Sequence, residues 1–209
     1  HHAVLHPCEF LEKNGFTVTY LDVDECGVVD CDQLKKSLRD DTILVSIMHA
    51  NNEIGTIEPI EHVVALCHER GVLVHTDAVQ TVGKIPVDVR ALGVDLLSLS
   101  AHKFYGPKGV GALYVKRGVA FEPLFHGGGH ERSRRSSTEN VPGIVGLGQA
   151  ARIAAEEMEQ EEVRIRPLRD MLERELTRTI SDVKVNGHPE SRLYTTLNIC
   201  MKHIEGESI

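Results

Sequence analysis

The sequence lacks the features of a membrane or nucleic-acid-binding protein. Its 209 residues include no tryptophan, and aromatic residues make up only 4% of it. No stretch approaches the roughly 20 apolar residues of a membrane-spanning helix, and no secretory signal peptide is visible. The formal net charge is -8, whereas nucleic-acid binders usually carry a basic surface. We therefore expect a globular protein that binds neither membranes nor nucleic acid.

Cysteine is also sparse, and its spacing excludes some classes of site. The five cysteines are Cys8, Cys26, Cys31, Cys67 and Cys200. They form no C-x-x-C pair, so we expect neither a structural zinc site nor any other metal site. An odd number of thiols in a chain of this size favours a reducing compartment, and we expect a cytoplasmic protein.

The first two-thirds of the chain alternates predicted strands with helices. Five segments have the apolar or β-branched content of strands: Thr17–Val23, Ile43–Met48, Val72–His75, Leu96–Ser100 and Ala112–Val115. Val63–Arg70 has helical spacing, and Gly71 ends it. This alternation predicts an α/β fold, with a mostly parallel sheet flanked by helices.

The pattern changes after Val141. We predict two long helices, Ile144–Met158 and Val163–Ile180, followed by strands at Val183–Val185 and Leu197–Cys200. A domain boundary near Gln160 would divide the chain into a large domain, 1–160, and part of a smaller α+β domain, 161–209.

Polar residues follow the apolar strands of the first part. Asn51, Asp77 and Lys103 each come after a predicted strand. Ligands of open α/β sheets bind at the carboxyl ends of the strands, so these side chains are expected to share one crevice.

Taken singly, these residues have ordinary alternatives. Lys103, in the segment SLSAHKFYGPKG, is either a nucleophile with a lowered pKa or a solvated loop lysine. Asp77 either caps a helix or pairs with a cationic ring nitrogen, and Gln80 lies three residues beyond it. Asn51 fits ordinary turn chemistry.

The glycine-rich segment 125–140 is similarly ambiguous. It contains Gly127, Gly128 and Gly129, and then a basic cluster formed by Arg132, Arg134 and Arg135. It is either an anion-binding strap or a flexible loop whose last residues cap the helix that begins at Val141.

Four segments together resemble one enzyme family: HANNEIGTIEPI, VHTDAVQTVGKIPVDV, GVDLLSLSAHKFYGPKGVGALYV and HGGGHERSRRSSTENVPGIVGLGQA. In order and spacing they are similar to the NifS/IscS-like cysteine desulfurases, within the class V aminotransferases, which use pyridoxal 5'-phosphate (PLP). The resemblance covers essentially the whole chain. It implies the PLP-dependent transferase (type I aminotransferase) fold and makes residues 1–160 the cofactor-binding domain. It also favours the functional alternatives above.

The resemblance assigns the central cofactor contacts position by position. Lys103 resembles the catalytic lysine that bonds covalently to PLP. Asp77 resembles the partner of the pyridinium nitrogen, and Gln80 the donor to the ring hydroxyl. Asn51 resembles an asparagine beside cofactor and substrate.

The remaining contacts imply a shared active site. Ser100 and His102 resemble phosphate ligands, and His1 resembles a catalytic histidine that stacks on the PLP ring. Thr138 resembles a threonine that reaches the phosphate in the neighbouring subunit, which implies a homodimer. An expression tag is another possible origin of His1.

The implied reaction removes sulfur from L-cysteine. It yields L-alanine and an enzyme persulfide, whose sulfur passes to an acceptor protein such as an Fe–S scaffold. The resemblance places the sulfur-accepting cysteine and a substrate-binding arginine beyond Ile209 and a phosphate-binding segment before His1. Cys200 is expected to be a small buried strand residue. We therefore expect these 209 residues alone to bind PLP weakly and to release no sulfide.

Two alternatives to desulfuration remain. Selenocysteine lyases share these segments, and relative turnover of cysteine and selenocysteine would separate the two activities. The chain could also be a non-catalytic scaffold that keeps the fold, in which case the full gene product would carry no further cysteine.

Overall fold

The computed structural model describes residues 1–206, so the last three residues of the predicted second domain, 207–209, lie outside the described residues. The helices are α1 (His2–Lys13), α2 (Cys31–Ser37), α3 (Ile60–His68), α4 (Val89–Leu92), the short α5 (His130–Ser133) and α6 (Val141–Thr179). The strands are β1 (Leu44–Met48), β2 (Leu73–Asp77), β3 (Leu96–Ser100), β4 (Gly111–Val115), β5 (Val183–Asn186) and β6 (Asn198–Met201). A 3-10 helix, Ala101–Phe104, follows β3.

The main sheet has the strand order β1-β2-β3-β4. The first three strands are parallel, and β4 pairs with β3 in the antiparallel direction. Parallel neighbours need crossovers, which α3 and α4 supply. In register, Met48 lies opposite Asp77, and Asp77 lies opposite Ser98. The prediction of a mostly parallel sheet flanked by helices is confirmed.

The two faces of this sheet differ in chemistry. One face packs against α2, α3 and α4 through buried residues that include Val45, Val63, Cys67, Val74 and Leu97. Successive strand residues point to opposite faces. The alternate positions therefore place polar side chains on the other face, where they are only half-buried.

The region 17–23 was wrongly predicted to be a strand. It contains no strand, and within residues 1–206 its only ladder contact is an isolated antiparallel bridge between Val23 and Val29. Most of its side chains are exposed, including Tyr20. β-branched and aromatic residues favour a strand only where a neighbouring strand pairs with them, and the described residues offer none here.

The two long helices predicted after Val141 are a single helix. α6 spans 39 residues and passes Gln160 without a break. Ion pairs stabilise the polar stretch between the two predicted helices, with Glu161 2.6 Å from Arg164 and Glu162 2.5 Å from Arg166. The domain boundary at Gln160 stays a prediction, with the boundary placed inside a helix.

The last described segment forms a second, two-stranded antiparallel sheet from β5 and β6. It matches the two strands predicted there to within a residue or two. The expectation that Cys200 is buried was wrong, because this residue is exposed in β6. The side-chain nitrogen Nδ2 of Asn186 lies 3.0 Å from the Sγ atom of Cys200. No helix within residues 1–206 is long and apolar enough to cross a membrane.

Candidate active site

The candidate site lies where β1, β2 and β3 end. Because the three strands are parallel, their carboxyl ends meet at one edge of the sheet. The His49 N–H donates to the Asp77 carbonyl at 2.8 Å, and the Ala78 N–H donates to the Ser98 carbonyl at 3.0 Å. These bonds extend the ladder past the strand ends and bring the segments carrying Asn51, Asp77 and Lys103 to the same edge.

Asp77 is the last residue of β2 and is half-buried. Its Oδ1 atom accepts a hydrogen bond from the Val79 N–H at 3.0 Å. That bond turns the chain away from the sheet, as the alternative of a capping residue requires. Among the described residues no other hydrogen bond engages the carboxylate, so Oδ2 is available to a ligand.

A polar row crosses the sheet two residues before Asp77. The His75 ring lies between two serines, with Nδ1 2.8 Å from Ser46 Oγ and Nε2 2.9 Å from Ser98 Oγ. His75 and Asp77 are two residues apart and therefore lie on the same face of β2, as Ser98 and Ser100 do on β3. This row was not predicted from the sequence, although the period-two spacing of polar residues before each strand end could have indicated it.

The row is held in a partly apolar environment. Burial lowers the pKa of His75, and the charge of Asp77 opposes part of this effect. A neutral imidazole has one donor and one acceptor nitrogen, so it can donate a hydrogen bond to one serine hydroxyl and accept one from the other. The row therefore gives the face beneath Asp77 a fixed, uncharged hydrogen-bond network.

Asn51 organises the turn after β1. Its Oδ1 accepts from the N–H groups of Glu53 and Ile54 at 2.8 and 3.0 Å. The side-chain oxygen thus does the turn chemistry expected of asparagine. The Nδ2 group, whose nearest partner is Met48 Sδ at 3.5 Å, is the part of the amide that remains for a ligand.

Gln80 lies in the helical turn that follows Asp77 and is half-buried. Its Oε1 accepts from Lys84 Nζ at 3.2 Å. Lys84 was not among the predicted site residues. An i, i+4 spacing from Gln80 was the only signal in the sequence.

Lys103 lies on the 3-10 helix directly after β3. Its side chain is exposed in this chain, not partly buried as the nucleophile hypothesis required. On the same segment, Ser100 Oγ is 2.9 Å from His102 Nδ1, so the two predicted phosphate ligands are hydrogen-bonded to each other. Lys103 and Lys84 line a cavity of about 340 Å³ between the 3-10 helix, α6 and Tyr194.

His1 and Thr138 lie on other parts of the chain. His1 caps α1, with its Nδ1 accepting from the Ala3 N–H at 3.1 Å. Thr138 is exposed in the loop before α6, whose first turn is capped by Asn140 Oδ1 at 3.2 Å from the Gly143 nitrogen. Within residues 1–206 no hydrogen bond joins either residue to the strand edge.

The donor set at the strand edge suits a particular kind of ligand. A carboxylate with a free oxygen, Asp77, can bind a protonated ring nitrogen. The amide groups of Asn51 and Gln80 can donate to a ring oxygen, and the Ser100–His102 pair can donate to a phosphate. Lys103 supplies an amine that can bond to an aldehyde. No group of three or more potential metal ligands is found in the described part of the chain.

Known proteins of similar sequence indicate the same family as the four sequence segments do. The family model for class V aminotransferases matches residues 1–209. Two relatives are cysteine desulfurases named IscS. One, from Dictyoglomus turgidum, is 59% identical, and one from Methanosarcina thermophila is 54% identical. Each match covers all of this chain but only 53% and 52% of the relative, so the chain spans about half their length.

Solved structures of similar shape agree. A NifS-like protein superposes with a TM-score of 0.95 at 46% identity, covering all of this chain and 57% of that one. DndA from Streptomyces lividans superposes with a TM-score of 0.89 at 37% identity, covering all of this chain and 59% of that one. These similarities confirm the predicted fold class.

Proposed function

Because the chain belongs to the class V aminotransferase family, we propose that it forms the PLP site of a cysteine desulfurase. The observation that carries the proposal is the meeting of Asn51, Asp77 and the Lys103 segment at one edge of a parallel sheet. That edge is where sheets of this kind bind ligands. The named relatives favour cysteine as the substrate.

Each residue of the strand edge has a proposed part in holding the cofactor. Asp77 binds the ring nitrogen through its free oxygen and keeps it protonated. Gln80 donates to the ring hydroxyl, and Asn51 donates through Nδ2. Lys103 bonds covalently through Nζ. In the same proposal Ser100 and His102 donate to the phosphate, and His1 stacks on the ring.

The chemistry follows from these placements. When bound, PLP withdraws electrons from the amino acid attached to it. Lys103 would be the base and acid that moves protons at the substrate carbon. A cysteine thiolate of the full-length protein takes the substrate sulfur as a persulfide, and the carbon skeleton leaves as L-alanine. The sulfur then passes to an acceptor protein, such as an Fe–S scaffold.

We also propose that the full-length enzyme is a cytoplasmic homodimer. Residues 127–138 of the glycine-rich segment support this idea, since most of their side chains are exposed and no hydrogen bond within residues 1–206 joins Thr138 to its own strand edge. Glu131, Arg132 and Ser133 have positive φ angles of 48°, 60° and 64°, a costly backbone for non-glycine residues. Contact with a neighbouring subunit's anionic ligand would stabilise it.

The test uses the full-length protein and two lysines of one segment. After borohydride reduction, mass spectrometry should find PLP covalently attached in Lys108→Ala but not in Lys103→Ala. Lys108 is the matched control because it is also exposed and only five positions away. A PLP adduct that persists in Lys103→Ala would contradict the assignment.

The substrate is tested on the same preparation. The wild-type protein should form alanine from L-cysteine, and the Lys103→Ala variant should not. Much faster turnover of selenocysteine than of cysteine would show a lyase instead. Full activity in a strictly monomeric protein would contradict the shared site and the role of Thr138.

A further inference from the structure

The lysine beside Gln80 has an unusual environment for a surface residue. Lys84 is half-buried, and its Nζ donates to Gln80 Oε1 at 3.2 Å. Burial lowers the pKa of Lys84, and the charge of Lys103 lowers it further. Both lysines line the same cavity. Keeping an ammonium group charged beside a like charge, with only a neutral amide as its partner, costs free energy. An ordinary solvated lysine does not have this cost.

The hydrogen bond decides which end of the Gln80 amide is free. An amide has an accepting oxygen and a donating nitrogen, whereas an ammonium group only donates. Lys84 can therefore engage only Oε1. With the oxygen occupied, Nε2 is the end that Gln80 presents to a ligand. If Lys84 were absent, the amide could turn over and present its oxygen instead.

The turn that carries both residues is fixed against the lysine segment. Gly83 has a φ of +79°, and a Cβ atom added there would lie 2.6 Å from the Cβ of Phe104. Phe104 directly follows Lys103 and is buried. The close approach of Gly83 to Phe104 holds the Gln80–Lys84 turn and the Lys103 helix in one arrangement, with no room for a side chain between them.

We propose that Lys84 is a positioning residue, which orients the Gln80 amide so that its nitrogen donates to the ring oxygen of the cofactor. The inference rests on the proposed function, since Gln80 has that part only if PLP binds at this edge. Lys84 itself does not touch the cofactor in this account. Its effect on PLP affinity must therefore disappear when Gln80 is removed.

A double-mutant cycle in the full-length protein tests this dependence. The variants are Lys84→Met, Gln80→Ala and the two combined. The readouts are the PLP dissociation constant and the pH midpoint of the bound cofactor's absorbance. Lys84→Met should weaken PLP binding about three- to tenfold, the effect of one misdirected hydrogen bond. The double variant should match Gln80→Ala in PLP affinity, whereas its absorbance midpoint also reflects the lost charge of Lys84 beside Lys103.

Two further variants separate positioning from a general structural effect. Lys84→Arg keeps a donor-only cation and should restore the wild-type absorbance midpoint, and Lys108→Met should change nothing. Additive effects of the two single variants would overturn the proposal, since Lys84 would then act on the cofactor by itself. An unchanged midpoint in Lys84→Met would also overturn it.

The proposed function can fail separately. Wild-type protein that binds no PLP would overturn that function, and this inference with it. If PLP attaches to Lys103 but Gln80→Ala changes neither readout, the function stands and the positioning role of Lys84 is wrong.

Discussion

The Nζ atom of Lys116 lies 3.0 Å from Oδ1 of Asp95, although the carboxylate is almost fully buried. The other carboxylate oxygen lies 2.8 Å from His68 Nε2 and accepts from the Val74 N–H at 2.9 Å. One side chain therefore joins α3, β2 and the residue after β4 at the amino edge of β3. A buried carboxylate with this many partners is costly to disrupt.

Asp95 should make stability depend on acid pH. Burial raises its pKa, but the hydrogen bonds from His68, Val74 and Lys116 outweigh burial and lower it overall. The stabilisation is thus present above the unfolded pKa of about 3.9 and is lost as the pH falls through the lower folded pKa. Asp95→Asn should cost about 3 kcal/mol near neutral pH, and the difference should shrink in acid. Urea unfolding across pH measures both.

Asp41 is the matched control for this prediction. It pairs with Arg39 at 2.9 Å, and its pKa is also lowered by that partner, but the pair is exposed. Solvent screens such pairs, so Asp41→Asn should change the unfolding free energy little at any pH. Equal effects of the two substitutions would contradict the importance of the Asp95 network.

Cys67 should resist alkylation in the folded protein. It is fully buried, and burial, with smaller contributions from Asp95 and Cys31, raises its pKa to about 11. Near pH 8 only about one thiol in a thousand would be ionised, and the thiolate is the reactive form. Iodoacetamide followed by mass spectrometry should label exposed Cys200 and leave Cys67 unlabelled until the protein is unfolded. Equal labelling rates in the native state would contradict this packing.

Gly187 should tolerate no side chain. Its φ is +91°, and an added Cβ would lie 2.6 Å from the carbonyl oxygen of Ile54, a backbone atom that cannot swing aside. Gly187→Ala should destabilise the protein by about 1–3 kcal/mol. Gly148→Ala, in the exposed face of α6 with open space around it, should stabilise by about 0.5–1 kcal/mol. Chemical denaturation of both variants should show changes of opposite sign in the free energy of unfolding.

Asp77→Asn should separate cofactor binding from folding. Asparagine keeps the Oδ1 acceptor that the Val79 N–H uses, so the unfolding free energy without PLP should hardly change. Loss of one charge-assisted hydrogen bond, about 1.5–3 kcal/mol, should weaken PLP binding about ten- to hundredfold. Equilibrium dialysis and unfolding of the same preparation measure the two effects. Unaltered PLP affinity would show that Asp77 does not face the ring nitrogen.

The site was predictable where the chemistry is local to a strand end. Asn51, Asp77 and Lys103 each follow an apolar run, and parallel strands must bring their carboxyl ends together. The partners of these residues were not predictable. The His75 row joins serines 29 and 23 residues away, and the oxygen of Gln80 is occupied by a lysine that no pattern singled out.

The sequence by itself determined the strands that are rich in apolar residues. The apolar-rich segment Leu96–Ser100 becomes strand β3, with Leu97 buried in the core and the serines on the half-buried face. Tertiary structure decided the rest. Thr17–Val23 has strand composition but no neighbouring strand in the described part of the chain, and Cys200 is apolar enough for a core but lies exposed on β6. Pairing and burial depend on which distant segment packs alongside, and local composition carries no record of that neighbour.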